Sequence, residues 1–358
     1  MEREGFKYHW WGKGDIDASF GIFFDGFSKI LTATGIMTMV FGMPARIVIG
    51  KVVPGIGLAI FLGNLWYFYE ARQLAIRERR QDVTSQPFGI GASQLSGWLY
   101  LIIGPVYWQT KDAELAFQVG LAAAFIGGMV EIAGGFAGRW IIDNIPNCAL
   151  MGNMASSAMV WLSIVGLAMV FDKPVYGLLP LFIIIIDYLG KADKRFAKIP
   201  SGVAAILIGT AVAWAGGYQT WERFEQSFAS IGFYPPSLSA GDILAGFKGI
   251  VPFLPVIIPL QINNFLSTLQ GLESARMAGD TYPERRSMIM DGVSTIAGSL
   301  FGNPFPTTVY FGHPGWKELG ARAGFSLVNG GLYLLICTTG LTGVLMAVIP
   351  TQAVMVLL

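Results

Sequence analysis

The sequence predicts an all-α polytopic membrane protein in which two of the spanning segments are broken, and three observations carry that prediction. Hydrophobic residues make up 53% of the 358 and charged residues only 13%, whereas soluble domains hold roughly 25% charged residues. Apolar runs close to the ~20 residues needed to cross a bilayer as a helix recur along the chain. Two helix-hostile patches, Ser85-Gln86-Pro87-Phe88-Gly89-Ile90-Gly91 and Gly302-Asn303-Pro304-Phe305-Pro306-Thr307-Thr308, each lead into an apolar segment.

Residues 1–18 mix aromatics with both charges and lack the apolar core and small-residue cleavage site of a signal peptide, so they read as an uncleaved interfacial segment. Spanning candidates follow at 20–42, 48–69, 87–108, 114–137, 148–171, 175–189 and 200–217. Tyr218 to Gly241 is the longest polar connection. Beyond it lie 247–272, 287–302, 304–315 and 323–348, and a last apolar run opens at Thr351. The segment at 304–315 is too short to span as a helix. Its counterpart at 87–108 is long enough only if its first residues run extended, which Pro87, Gly89 and Gly91 favour. The final run ends at Leu358 with no stop signal or basic flank, which leads us to expect a truncated chain.

Lys and Arg should be in excess in cytoplasmic loops. With the N-terminus inside, most of the 24 basic residues fall on that side, including Arg77, Arg79, Arg80, Lys191, Lys194, Arg195, Lys198, Arg285, Arg286 and Lys317. The expected location is therefore an inner (plasma) membrane with a cytoplasmic N-terminus and the lipid bilayer as solvent. A net charge of +1, with the basic residues in short runs between apolar segments, gives no footprint for a nucleic-acid partner. Cys148 and Cys337 lie in apolar stretches without metal-type spacing and read as small buried hydrophobes. His9 and His313 have no partner spacing that suggests catalysis or metal binding. No nucleophile motif or nucleotide loop occurs, so no enzyme, catalytic residue, metal or cofactor is expected.

Non-helical backbone survives in a bilayer only where protein buries it or where it lines a polar cavity. Paired broken segments in corresponding halves of a chain point to a transporter's substrate site. Half-helix starts would present Phe88, Gly89, Ile90, Gly91 and Ser93 from the first patch, and Pro306, Thr307, Thr308 and Tyr310 from the second. Between the patches, Gln261, Asn264, Phe265 and Thr268 share one face of a helix at spacings of three and four. Amides beside an aromatic ring suit a flat, hydrogen-bonding heterocycle, and they serve equally as glue between membrane helices. Asp25, with Lys29 four residues on, and Glu131 are ionisable groups inside apolar segments, and therefore candidates for ion coupling by H+ or Na+. The spacing of Asp25 and Lys29 also allows a mutually neutralising pair. Asp187 and Asp291 read as structural.

The run Gly279-Asp280-Thr281-Tyr282-Pro283-Glu284-Arg285-Arg286-Ser287 through Asp291-Gly292-Val293-Ser294-Thr295 to Gly298 and Gly302, followed by Thr307-Thr308 and Tyr310, resembles the xanthine/uracil permeases, the nucleobase-cation symporter group. The resemblance implies seven plus seven inverted helices with broken helices 3 and 10. It implies a core domain at 19–137 and 247–350, a gate domain at 138–217, an extracellular loop at 218–246, and the start of a truncated gate helix at 351–358. It further implies a nucleobase-like substrate, alternating access, possible pairing as a homodimer, and a site lined by Phe88, Gly89, Gln261, Asn264, Phe265, Thr307, Thr308 and Tyr310. Gln261 falls near the family's helix-8 carboxylate, and Phe311, Gly312 or His313 near its helix-10 carboxylate; neither acid is kept here. Two alternatives stay open: an anion transporter of the sulfate, bicarbonate or dicarboxylate type on the same fold, in which helix 8 needs no carboxylate, and a transport-inactive membrane scaffold.

Overall fold

In the computed structural model the described residues are 6–190 and 201–356, apart from 145, 147, 150, 151, 153, 154 and 157. Lys191, Lys194, Arg195 and Lys198, counted in the charge bias, lie outside them. The chain opens with α1 (Asp15–Gly35), which continues through a π-helical turn, Ile36–Val40, and returns as α2 (Ala45–Glu78). An extended stretch ends in β1 (Phe88–Ile90), and the helix resumes as α3 (Ala92–Trp98), a π turn at Leu99–Ile103 and α4 (Gly104–Thr110). The next helices are α5 (Ala113–Asn144), α6 (Val165–Asp172), α7 (Pro174–Gly190) and α8 (Ser201–Ala215). After α9 (Trp221–Ser227) and α10 (Ala240–Gly246) come α11 (Leu254–Met277) and α12 (Glu284–Leu300). The chain closes with β2 (Thr307–Val309), α13 (His313–Glu318), α14 (Gly324–Thr338), α15 (Leu341–Val348) and α16 (Thr351–Met355).

Among the described residues, three helices are long and apolar enough to cross a membrane: Ala45–Glu78, Ala113–Gly138 and Val251–Met277. Taken together, α14 and α15 make a fourth, bent by 94°. The sequence marks 323–348 as a single spanning candidate. It breaks because the Thr338 and Thr339 hydroxyls donate back to the Leu334 and Leu335 carbonyls, and Gly340 takes a left-handed φ of 71° against the Ser230 carbonyl. The polar connection after α8 carries secondary structure of its own. It contains α9, and the Tyr234 N–H donates to the Thr338 carbonyl at 2.7 Å.

Both broken segments run extended where Pro and Gly deny them a helix. β1 and β2 pair antiparallel, with Phe88 opposite Val309, Gly89 opposite Thr308 and Ile90 opposite Thr307. Equivalent segments of two halves related by a two-fold axis in the membrane plane must run in opposite directions, so this pairing is what an inverted repeat dictates. The ladder satisfies backbone groups that would otherwise stand unpaired within an apolar chain. Around it, α12 packs along α5 and α14 along α2. Glycines set how closely these helices approach: a Cβ on Gly128 would stand 2.7 Å from the Gly292 carbonyl oxygen, and one on Gly292 only 2.6 Å from that of Gly128.

At the end of the molecule that carries the N-terminal segment, one carboxylate clasps three connections. Asp280, fully buried between α11 and α12, accepts from Arg80 Nη2 (3.0 Å) and Lys317 Nζ (2.5 Å) on Oδ1. On Oδ2 it accepts the Thr84 N–H (3.0 Å) and lies 3.1 Å from His313 Nε2. Burial pushes this carboxyl up, but the hydrogen bonds from His313, Lys317 and the Thr84 backbone outweigh it and hold the group below the ordinary carboxylate range. Tyr282 donates to the Thr84 carbonyl and Thr84 Oγ1 to that of Ala321, so the approaches to β1 and α14 are tied to the same point. His313 thus has a buried partner that no spacing in the sequence revealed. Cys337 is buried as expected, whereas Cys148 lies exposed on the outer surface.

Candidate functional site

The paired strands position two polar groups on opposite sides of the β1–β2 ladder. Asn64 on α2 donates to the Phe88 carbonyl at 3.2 Å, which fixes β1 against that helix. The Phe88 ring fills the space left by Gly63 and lies 5.4 Å from the Tyr67 ring. Just past β2, the Tyr310 hydroxyl donates to the Ile90 carbonyl at 3.0 Å and occupies the position that a Cβ on Gly89 would need. Gly89 is required there because Tyr310 crosses the ladder over it.

The first polar group lies on the α1 side. Lys29 Nζ donates to Asp25 Oδ2 at 2.7 Å and stands 3.8 Å from the centre of the Tyr310 ring. The ammonium side chain is 5% exposed and the carboxylate side chain 27% exposed, so Asp25 forms the open edge of the pair. A desolvated ammonium over an aromatic face gains both ion-pair and cation–π attraction. One turn further along α1, Thr32 Oγ1 lies 3.8 Å from Met355 Sδ of α16. The pair therefore sits where α1 passes between the strand ladder and the last helix.

The second group lies between α5, α11 and α12, and all of its members are buried. Gln261 Nε2 and Asn264 Nδ2 donate to Glu131 Oε2 at 3.1 and 3.0 Å, and Asn264 Nδ2 also reaches the Thr307 carbonyl at 3.2 Å. Thr268 Oγ1 lies 3.2 Å from Glu131 Oε1, 2.8 Å from Asp291 Oδ2 and 3.0 Å from Thr308 Oγ1. Tyr67 donates to Asp291 Oδ1 at 2.5 Å. The Thr307 N–H donates to Thr295 Oγ1 at 3.0 Å. Four helices and β2 are thus tied together through hydroxyls and amides around two carboxyl groups.

The structure gathers Glu131, Gln261, Asn264, Thr307 and Thr308 into this second group and places Tyr310, Gly89 and Asp25 with the first. Phe88 lies on the α2 side of the ladder. Phe265 belongs to neither group: its ring packs with Leu269, Met288 and Ile141 beside α5. The amide donors of Gln261 and Asn264 are spent on Glu131 rather than presented to an open cavity, which is the arrangement of interhelical glue. From the sequence Asp291 reads as a structural acid at a helix start, because the segment is set to begin at 287. The helix begins at Glu284, which puts Asp291 two turns inside. Tyr67 had a signal in the sequence: Asn64, Tyr67 and Glu70 form a polar stripe at spacings of three on the apolar α2. Asp187 lies exposed toward the end of α7. Among the described residues, no group of three or more His, Cys, Asp or Glu side chains is arranged to hold a metal ion.

No family model matches the chain, and no curated protein matches it. Among solved structures it is similar to the transmembrane domain of a cyanobacterium bicarbonate transporter, BicA, with a TM-score of 0.59 and 15% identity over 96% of this chain and 86% of that one. It is also similar to SLC26A9, with a TM-score of 0.59 and 14% identity over 94% of this chain and 56% of that one. These likenesses establish the fold: an integral, multi-pass, all-α membrane protein with the inverted-repeat architecture of a transporter domain. They overturn the xanthine/uracil permease resemblance. The motifs that suggested it, the Asp291-Gly292 helix and the Thr307-Thr308 segment, belong to the architecture: Gly292 is a close-packing position, and Thr307 and Thr308 form β2.

Proposed function

We propose that the chain is a secondary transporter of a small oxyanion of the bicarbonate or sulfate kind, bound at the β1–β2 ladder against Lys29. The observation that carries this reading is the buried ammonium of Lys29, held over Tyr310 beside the broken segments by a single carboxylate, Asp25, at the open edge. An incoming oxyanion offers the ammonium the same charge and acceptor geometry as Asp25 does, and takes its place. The bicarbonate transporter among the structural neighbours supports the same choice of substrate class. The absence of an acid at the sequence positions expected to recognise a nucleobase is consistent with it.

The competition between ligand and Asp25 yields a two-sided test in proteoliposomes loaded for uptake of radiolabelled bicarbonate and sulfate. Lys29→Met is expected to reduce saturable uptake at least about tenfold, the order of a lost charge-assisted contact. Asp25→Asn is expected to lower the apparent KM, because the ammonium is released to the ligand. Uptake of neither anion by the folded wild-type protein, or an unchanged KM in both variants, would sink the assignment. The division into a core at 19–137 and 247–350 and a gate at 138–217 and 351–358, the cytoplasmic N-terminus and a homodimeric assembly belong to this proposal as well.

A further inference from the structure

We propose that Glu131 and Asp291 form a site that binds one proton between them, with the Thr268 hydroxyl as the bridge. Glu131 Oε2 is filled by two amide N–H donors, and Asp291 Oδ1 by Tyr67. The remaining oxygens, Glu131 Oε1 and Asp291 Oδ2, both face Thr268 Oγ1, at 3.2 and 2.8 Å. A hydroxyl carries one hydrogen, so it donates to one carboxyl only. The other contact is a hydrogen bond only if that carboxyl brings a proton of its own.

The amide oxygens point the same way. Gln261 Oε1 and Asn264 Oδ1 are buried without a partner, on the very amides whose nitrogens touch Glu131. The atoms still unfilled around Glu131 are therefore acceptors, in surroundings short of hydrogens. Among the described residues, no cation relieves this shortage: Tyr67 is the titratable side chain that faces the pair from α2, and neither α11 nor β2 presents any. The nearest basic groups on α12 are engaged elsewhere: Arg286 lies 3.8 Å from Glu70, and Arg285 stands 4.2 Å over the Phe136 ring. Two ionised carboxylates sharing one contact in a buried site would repel each other strongly, and one added proton removes that repulsion.

The proton can change owner without leaving the site. With Glu131 protonated, Oε1–H donates to Thr268 Oγ1, whose own hydrogen lies on Asp291 Oδ2. Shifting both hydrogens along this line breaks one O–H bond at Glu131 and forms one at Asp291, and Thr268 keeps a single hydrogen throughout. Because Thr268 also touches Thr308, and Asn264 the Thr307 carbonyl, movement of β2 against α11 alters the site. On the transport reading above, the shared proton is then coupled to substrate movement.

The direct test is infrared difference spectroscopy of the purified protein at neutral pH. One band of a protonated carboxylic acid is expected to be present in the wild type and absent from both Glu131→Gln and Asp291→Asn, since removing either partner leaves the other a lone carboxylate served by Thr268. Thr268→Ser should keep the band at its position, and Thr268→Val should shift it. A band that survives both carboxyl substitutions, or two bands each lost separately, overturns the shared proton. In proteoliposomes, an imposed pH gradient should drive anion uptake in the wild type, and Glu131→Gln should reduce that drive by about tenfold or more, within the usual range of a coupling free energy between two sites. Drive by a sodium gradient alone overturns the coupling. Absence of any anion uptake defeats the substrate reading while the infrared result stands by itself.

Discussion

Asp280→Ala is expected to lower the thermal stability of the detergent-solubilised protein more than removal of any exposed carboxylate. The carboxylate is fully buried and receives an arginine, a lysine, a backbone N–H and a histidine contact. Taking one partner out of a buried charge cluster leaves the others uncompensated, a loss of about 3–5 kcal/mol. Asp82 is the control. It also contacts Arg80 and Lys317, but its side chain is 65% exposed, so Asp82→Ala should cost no more than about 1 kcal/mol. Equal shifts in melting temperature for the two variants would show that the clasp does not hold the connections together. The sign of the pH dependence follows from the depressed folded value of Asp280. Its contribution is fully present above the ordinary unfolded value of about 3.9 and disappears as pH falls through the lower folded one. The gap in melting temperature between wild type and Asp280→Asn should therefore be constant near neutrality and close in strong acid.

Gly292→Ala is expected to separate α5 from α12. The added methyl group would meet the Gly128 carbonyl oxygen at 2.6 Å, and that oxygen belongs to helix backbone and has no rotamer by which to move aside. Forced overpacking of this kind costs about 1–3 kcal/mol. It also moves Asp291, the adjacent residue, away from Thr268, so transport should fall further than stability does. Gly331→Ala on α14 is the matched comparison: nothing lies within 4 Å of its added Cβ, and replacing a helical glycine in open space should stabilise by roughly 0.5–1 kcal/mol. Thermal unfolding of the two variants side by side decides the point. If Gly292→Ala unfolds no earlier than Gly331→Ala, the close crossing is not a determinant of the fold.

The broken segments were legible in the sequence because the signal was local. Pro87, Pro304 and Pro306 each remove a backbone donor, and no helix continues through them. The acids were less legible. Glu131 stood out as an ionisable residue within an apolar run, but its partner Asp291 lies 160 residues on in the sequence, behind Arg285 and Arg286, which disguised a helix interior as a helix start. Lys29 was visible as a neutralised partner of Asp25, and the ring of Tyr310 that completes its surroundings comes from the other half of the chain. Asp280 and His313 gave no local sign at all, since their contacts join three separate connections. The resemblance to the nucleobase permeases misled for a related reason. Gln261 and Asn264 have the composition of a ligand-binding face, and only the position of α5 shows that their donors are directed at Glu131.

The ladder between β1 and β2 has a kinematic consequence. Each strand is the hinge-like interruption of its own half, and separately each would let one half bend while the other stood still. Paired in register at Phe88–Val309, Gly89–Thr308 and Ile90–Thr307, the two interruptions share one set of coordinates. A slip of a single residue would turn every side chain to the opposite face and carry Tyr310 off Gly89. The ladder therefore joins the two halves at their midpoint, so neither strand can be displaced alone without breaking the pairing.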